Sequence, residues 1–392
     1  MLMNKLTPFI LPQSMLPNDN QLAHSAQLLH RTLQVIQDHG GWIDFATYMN
    51  LALYEPQLGY YVAGATKLGG AGDFVTAPQL GDLFAKTLAR SFLPYLEKID
   101  LNSRAILELG AGTGQLAVDL LLSLEAQTML PQRYFILEVS PELQERQRQT
   151  IATLPKPLAE RVEWLSQWPS NLDGIIIANE VLDAFAVHRV ELREEGWWQW
   201  GVAADAGDLV EKARPLNNPA LVKVLPSLNP EFLPYLTEVN LSALALMGNV
   251  ASSLREGAAY FVDYGFPARE FYHPQRHQGT LMCHYRHLAH TNPLLLLGLQ
   301  DITSHVDFTA LAKRAREEGL VVMEYATQAQ FLLKHGILDE LTSPTLTVNE
   351  NTLRQSQQVN LLMSPAEMGE LFKVLVLGRG TENSHALMQL GL

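Results

Sequence analysis

The strongest constraint on this chain is a series of short apolar segments, each followed by a helix-forming segment. Residues 105–109 are apolar and end at a glycine-rich turn, and residues 115–124 then have helical character. The unit repeats with a strand at 134–139 and a helix at 141–154. A third strand at 174–178 carries Ile175, Ile176 and Ile177 in succession. Continuous apolar strands are buried on both faces, and strand–helix alternation calls for a parallel sheet covered on both sides. Further strands are expected near 258, 320 and 372. The fold class is therefore α/β: a doubly wound, mostly parallel sheet. Helices are expected at 21–37, 44–53, 76–92, 241–254 and 307–318. Residues 187–192 and 196–202 suit a hairpin, in which Trp197, Trp198 and Trp200 are packing residues. Residues 207–230 read as a loop, and 273–301 as irregular.

In such a sheet the ligand lies at the carboxyl ends of the strands. The first strand ends in Glu108-Leu109-Gly110-Ala111-Gly112-Thr113-Gly114. A dinucleotide fingerprint would need its third glycine at 115, which is Gln115. The spacing G-x-G-x-G points instead to S-adenosyl-L-methionine, which has no pyrophosphate to cradle. Glu138, 24 residues after Gly114 at the end of the second strand, can accept both hydrogen bonds of a ribose diol.

The third strand ends in Asn179-Glu180, with Asp183 close behind. Methyl transfer is an in-line displacement that needs alignment and exclusion of water. A guanidinium acceptor would need carboxylates to hold it, for which Glu180 is the first candidate and Asp183 or Glu238 the second. Asn179, Glu180 and Asp183 are accordingly the candidate catalytic residues. His273, His277, His284, His287 and His290 cluster in sequence, but with no cysteine pair or matching carboxylate spacing. No metal site is expected.

With 392 residues, 47% of them apolar, the chain can build a main domain plus large insertions. A net charge of −13 without a basic run argues against nucleic acid and suits a cationic substrate. The single cysteine, Cys283, rules out an internal disulfide and fits a reducing compartment. Neither a signal-peptide pattern nor a membrane-spanning apolar run is present, so the expectation is a cytoplasmic protein without membrane insertion.

These residues, read together, resemble the MidA family over nearly the whole chain. The likeness is carried by Gly59-Tyr60-Tyr61, Gly72-Asp73-Phe74-Val75-Thr76-Ala77-Pro78 and the glycine turn. It continues through Asn179-Glu180 to His188, Val262-Asp263-Tyr264-Gly265, and Asp301-Ile302-Thr303-Ser304-His305-Val306-Asp307. Ala186 departs from the family's usual proline. The resemblance implies a Rossmann-like methyltransferase with a seven-stranded type of sheet over 96–392, with insertions around 203–235, 273–306 and 327–368. It also implies an N-terminal lobe, 1–95, whose Gly72, Asp73, Thr76 and Pro78 close over the cofactor. Gly110, Gly112, Gly114, Glu108, Glu138 and Asn179 would complete the cofactor site. His188, Glu238, Asp263, Tyr264, Asp301, His305 and Asp307 would lie on the substrate side. The implied partner is a protein with an arginine-bearing segment, in the manner of family members that methylate a respiratory complex I subunit. A small-molecule methyltransferase, or a non-catalytic assembly protein on the same fold, stands as the alternative.

Overall fold

The computed structural model describes residues 11–63, 77–341 and 350–392. Its central sheet has seven main strands: β1 (Arg104–Leu109), β2 (Arg133–Leu137), β3 (Val162–Leu165), β4 (Leu172–Asn179), β5 (Leu254–Phe266), β6 (Val321–Thr327) and β7 (Phe372–Gly378). Their spatial order is β3-β2-β1-β4-β5-β7-β6, and β7 alone runs antiparallel to its neighbours. A short piece, Val306–Asp307, pairs in parallel with the end of β5. Six of the strands fall where the sequence placed them. The seventh, β3, escapes sequence reading because it is a half-buried edge of only four residues with one partner.

Both faces of the sheet are apolar, so consecutive side chains feed two separate cores. Ile106, Ile175 and Tyr260 pack on one side against Phe84, Leu88, Phe92 and Leu121. Leu107, Ile176 and Phe261 pack on the other side with Met247, Leu311 and Ala315. Helices Leu83–Leu96 and Gln115–Ala126 cover the first face, and Leu241–Ser253 and Phe308–Glu317 the second.

A third core joins Leu28, Ile36, Phe45, Tyr48 and Leu53 to Val187, Val202, Cys283 and Ile302. Among the described residues of 1–95, Leu28 to Tyr60 feed this core, whereas helix Leu83–Leu96 packs on the central sheet. The helix expected at 76–92 is broken at Gly81, whose φ is +145° and where a Cβ would collide with the Gln358 side chain.

A second sheet combines Trp42–Asp44, His188–Arg193, Gly196–Asp205, Asp208–Pro215 and Tyr235–Val239. The expected hairpin is present, but 208–215 is a strand rather than a loop. Its charged, exposed residues hide the pattern, and the long Gly196–Asp205 strand supplies the ladder it needs. A third sheet of Met282–Tyr285, Leu288–His290 and Asp301–Thr303 organises the stretch read as irregular. Among the described residues, no helix is long and apolar enough to cross a membrane.

Candidate active site

A cleft of about 1100 Å³ opens at the carboxyl ends of β1, β2 and β4, at the sheet's switch point. The turn after β1, the end of β2, the segment after β4 and the Tyr54 to Val62 region wall it. Of the residues singled out above, Pro78, Glu108, Gly110, Gly112, Glu138, Asn179, Glu180, Asp183, Tyr264 and Asp301 line it.

On one side lies the glycine turn. Gly110 and Gly114 have φ of +59° and +83°, a region that side chains rarely adopt. A Cβ on Gly110 would stand 3.1 Å from Val181 Cγ2, and one on Gly114 would stand 3.2 Å from the Gln147 Cα. Gly114 therefore lies behind the cleft, where helices Gln115–Ala126 and Pro141–Ile151 come close. Glu108 accepts a hydrogen bond from the Tyr134 hydroxyl at 2.7 Å, and burial pushes its carboxyl up to about 7.

Glu138 is buried at the end of β2. Its Oε1 accepts the Ser140 N–H at 2.9 Å and its Oε2 accepts the Gln147 amide at 3.1 Å. Burial raises its pKa, while these two donors pull it down. Ser140 Oγ donates to the Tyr61 carbonyl at 3.0 Å, which ties the N-terminal segment to this side.

The opposite side is acidic. Asn179 Nδ2 donates to Glu180 Oε1 at 3.1 Å, and Asn179 Oδ1 has no hydrogen-bond partner among the described residues. Glu180 has φ of +53°, a strained conformation for a side-chain-bearing residue, and its N–H donates to Val262 O at 2.9 Å. Enclosure by protein, followed by the nearby Asp183 charge, pushes the Glu180 carboxyl up to about 8. Asp183 accepts a hydrogen bond from the Tyr264 hydroxyl, and burial lifts it to about 6. Asp263 stands behind them and gathers the N–H groups of Leu182 (2.9 Å), Val181 (3.2 Å) and Asp183 (3.3 Å) on one oxygen. Burial and its two acidic neighbours raise its pKa strongly. Tyr61 donates to Asp301 at 2.9 Å, and Tyr54, stacked on Tyr61, donates to Ala184 O at 2.9 Å. None of the described lining residues is a lysine, arginine or histidine.

The remaining candidates lie outside the cleft lining. His188 sits on the second sheet, 3.3 Å from Asp44. Glu238 is buried there and accepts the Thr280 N–H at 2.8 Å. Asp307 caps helix Phe308–Glu317 through the Ala310 N–H at 3.0 Å and accepts the Tyr272 hydroxyl. His305 stands edge-on to Tyr264, with the ring centroids 5.8 Å apart. Gly72, Asp73 and Thr76 are outside the described residues. No group of three metal-ligating side chains gathers among the described residues. Sequence reading assigned no role to Tyr54, Tyr61, Ser140 or Gln147. For Gln147 the available signal was its three-residue offset from Gln144, which puts both amides on the Glu138 side of one helix.

An adenosyl group suits this cleft. Gly110 and Gly112 leave their part of the wall free of side chains, Glu138 has acceptor capacity beyond its two donors, and Asn179 offers an orphaned oxygen.

This chain is similar to several known proteins. A COG1565 superfamily member from Burkholderia thailandensis, solved with S-adenosyl-homocysteine bound, is 42% identical with a TM-score of 0.86, over 95% of this chain and 96% of that one. The protein named protein arginine methyltransferase NDUFAF7, mitochondrial, from Bos taurus is 28% identical, over 86% of this chain and 80% of that protein. Its Danio rerio namesake is 26% identical, over 85% and 82%. Residues 87–326 match the family model Methyltransf_28, that of S-adenosyl-L-methionine-dependent methyltransferases. The chain belongs to this family, the MidA or COG1565 group, and is a methyltransferase whose cofactor is S-adenosyl-L-methionine.

Proposed function

We propose that this methyltransferase acts on an arginine of a protein. The reading rests above all on one observation: Glu180 and Asp183 face a cleft with no cationic side chain among its described lining residues. Carboxyls enclosed without a cation are held toward their protonated form, and a bound cation favours the ionised form. A guanidinium is planar and matches carboxylates in a bidentate manner. The arginine methyltransferases among the relatives add support.

In this reading Gly110 and Gly112 back the adenosyl group, Glu138 holds the ribose diol, and Pro78 borders the opening. Bound S-adenosyl-L-methionine supplies a methyl carbon made electrophilic by its sulfonium. Glu180 and Asp183 clamp the guanidinium so that one nitrogen points along the carbon–sulfur axis, and Asn179 steadies Glu180. The nitrogen lone pair forms the new N–C bond, and the C–S pair stays on sulfur. The proton released from nitrogen passes to Glu180 or Asp183, whose raised pKa values suit them to accept it. Tyr264 orients Asp183, and the Tyr54–Tyr61 pair closes the acceptor end.

Incubation with methyl-labelled S-adenosyl-L-methionine and a cell extract, followed by mapping of modified residues, tests this. Label on protein arginine is expected, and a respiratory-complex subunit is the first acceptor to try. Label confined to lysine or to small metabolites would overturn it.

A further inference from the structure

The Gln147 side chain connects three separate parts of the cofactor half. It is fully buried on helix Pro141–Ile151. Its Nε2 donates to Glu138 Oε2 and to the Gly112 carbonyl, each at 3.1 Å. Its Oε1 accepts the Trp164 indole N–H at 2.9 Å from β3. These neighbours define the amide orientation. An indole N–H can only donate, and a carboxylate and a carbonyl accept, so a flipped amide would put like against like on every side.

We infer that Gln147 is a positioning residue for S-adenosyl-L-methionine: it locks the Glu138 carboxylate against the glycine turn, with Trp164 setting the sense of its amide. This rests on the reading of Glu138 as the ribose ligand. Gln147 does not line the cleft. Its effect runs through Glu138, which has Ser140 N–H on one oxygen and Gln147 on the other. With both oxygens held, the carboxylate cannot rotate away from a diol. Binding then avoids the cost of ordering it. The Gly112 bond keeps the turn at a set distance from Glu138, so the adenosyl and methionyl ends of the ligand meet a frame of constant width. The edge strand β3 thereby acquires a role beyond the sheet, since Trp164 reaches the site through Gln147.

The test measures calorimetric affinity for S-adenosylhomocysteine and for its 2′,3′-dideoxyribosyl analogue, in the whole protein and in Gln147→Leu, Trp164→Phe and Glu138→Ala. Wild type is expected to prefer the natural ribose. Gln147→Leu is expected to lose about tenfold or more of that preference, as a lost hydrogen bond to a charged group should, with little change toward the dideoxy ligand. A fall in affinity for both ligands alike would make Gln147 merely structural and overturn the inference, as would full retention of the preference. If Gln147→Leu does not fold, Trp164→Phe decides: a smaller loss of preference supports the lock, and an unchanged preference sinks it. Glu138→Ala separates the two levels. Should it keep the wild-type preference, the ribose reading itself fails. Should it lose the preference while the Gln147 and Trp164 variants keep theirs, only the positioning role fails. Gln147→Glu adds a pH signature. A protonated carboxyl can still donate to Glu138, so, relative to wild type at the same pH, the Michaelis constant for S-adenosyl-L-methionine should be near equal at pH 5.5 and about tenfold higher at pH 8.5, with the kcat ratio little changed.

Discussion

The two halves of the cleft are built differently. The cofactor half draws mainly on residues 108–147: one glycine turn, the ends of β1 and β2 and one helix, joined by hydrogen bonds among themselves and to Trp164 of β3. The acceptor half collects Tyr54, Tyr61, Asn179, Glu180, Asp183, Tyr264 and Asp301 from four distant stretches of chain. The cofactor half is preorganised by shape, and its carboxylates are met by donors. The acceptor half sets Glu180, Asp183 and Asp263 side by side, so that Asp183 adds its charge to burial in raising the pKa of the other two. A site for a ligand of constant shape can be framed locally. One for a charged acceptor keeps its carboxyls at raised pKa until a cation arrives to favour their ionised form.

The sharpest way to break this contrast is Glu180→Gln. Turnover is expected to fall about a hundredfold or more, while S-adenosylhomocysteine binding persists by calorimetry. Equal loss of both would mean that the halves are not separate. Gly110→Val attacks the other half. A branched side chain at φ of +59°, already 3.1 Å from Val181 at its Cβ, should cut cofactor affinity more than about tenfold. Circular dichroism would check that the fold survives.

The pH dependence is the third probe. Glu180 in the free enzyme titrates at about 8, so below that pH it is protonated and cannot pair with a cation. The rate constant kcat/KM should rise about tenfold per pH unit toward 8 and then level off. The inflection should vanish in Glu180→Gln. The same raised pKa has a stability consequence. Between the ordinary value of 4.5 and about 8, the folded protein holds a proton that the unfolded chain releases. Ligand-free stability should therefore fall as pH rises through that window, and scanning calorimetry would show it.

Tyr264→Phe gives the smallest effect. Asp183 loses the hydroxyl that lowers its pKa, so activity at pH 7 should drop about three- to tenfold. The deficit should shrink above pH 8, and a constant deficit would assign Tyr264 to packing alone.

Much of this architecture is legible along the chain. Ile175 to Ile177 announce a doubly buried strand, and Gly110 to Gly114 announce the turn, because both signals are short-range and periodic. The edge strands β3 and Asp208–Pro215 are not, since a half-exposed strand has no continuous apolar run to betray it. Asp263 and Asp183 look alike in sequence, yet one binds backbone N–H groups behind the cleft and the other faces it. His188, Glu238 and Asp307 have equally suggestive side chains, but the fold employs them in the second sheet, in a buried turn contact and at a helix cap.

The sequence by itself therefore determined the sheet, its class and the glycine turn, because apolar period and backbone freedom are properties of neighbouring residues. Only the tertiary structure decided which carboxylates share a cleft without a cation, and that Gln147 reaches Glu138, Gly112 and Trp164 together. Those are distances between segments far apart in the chain. No local pattern encodes them; they follow from how the strands are ordered and how the helices pack across them.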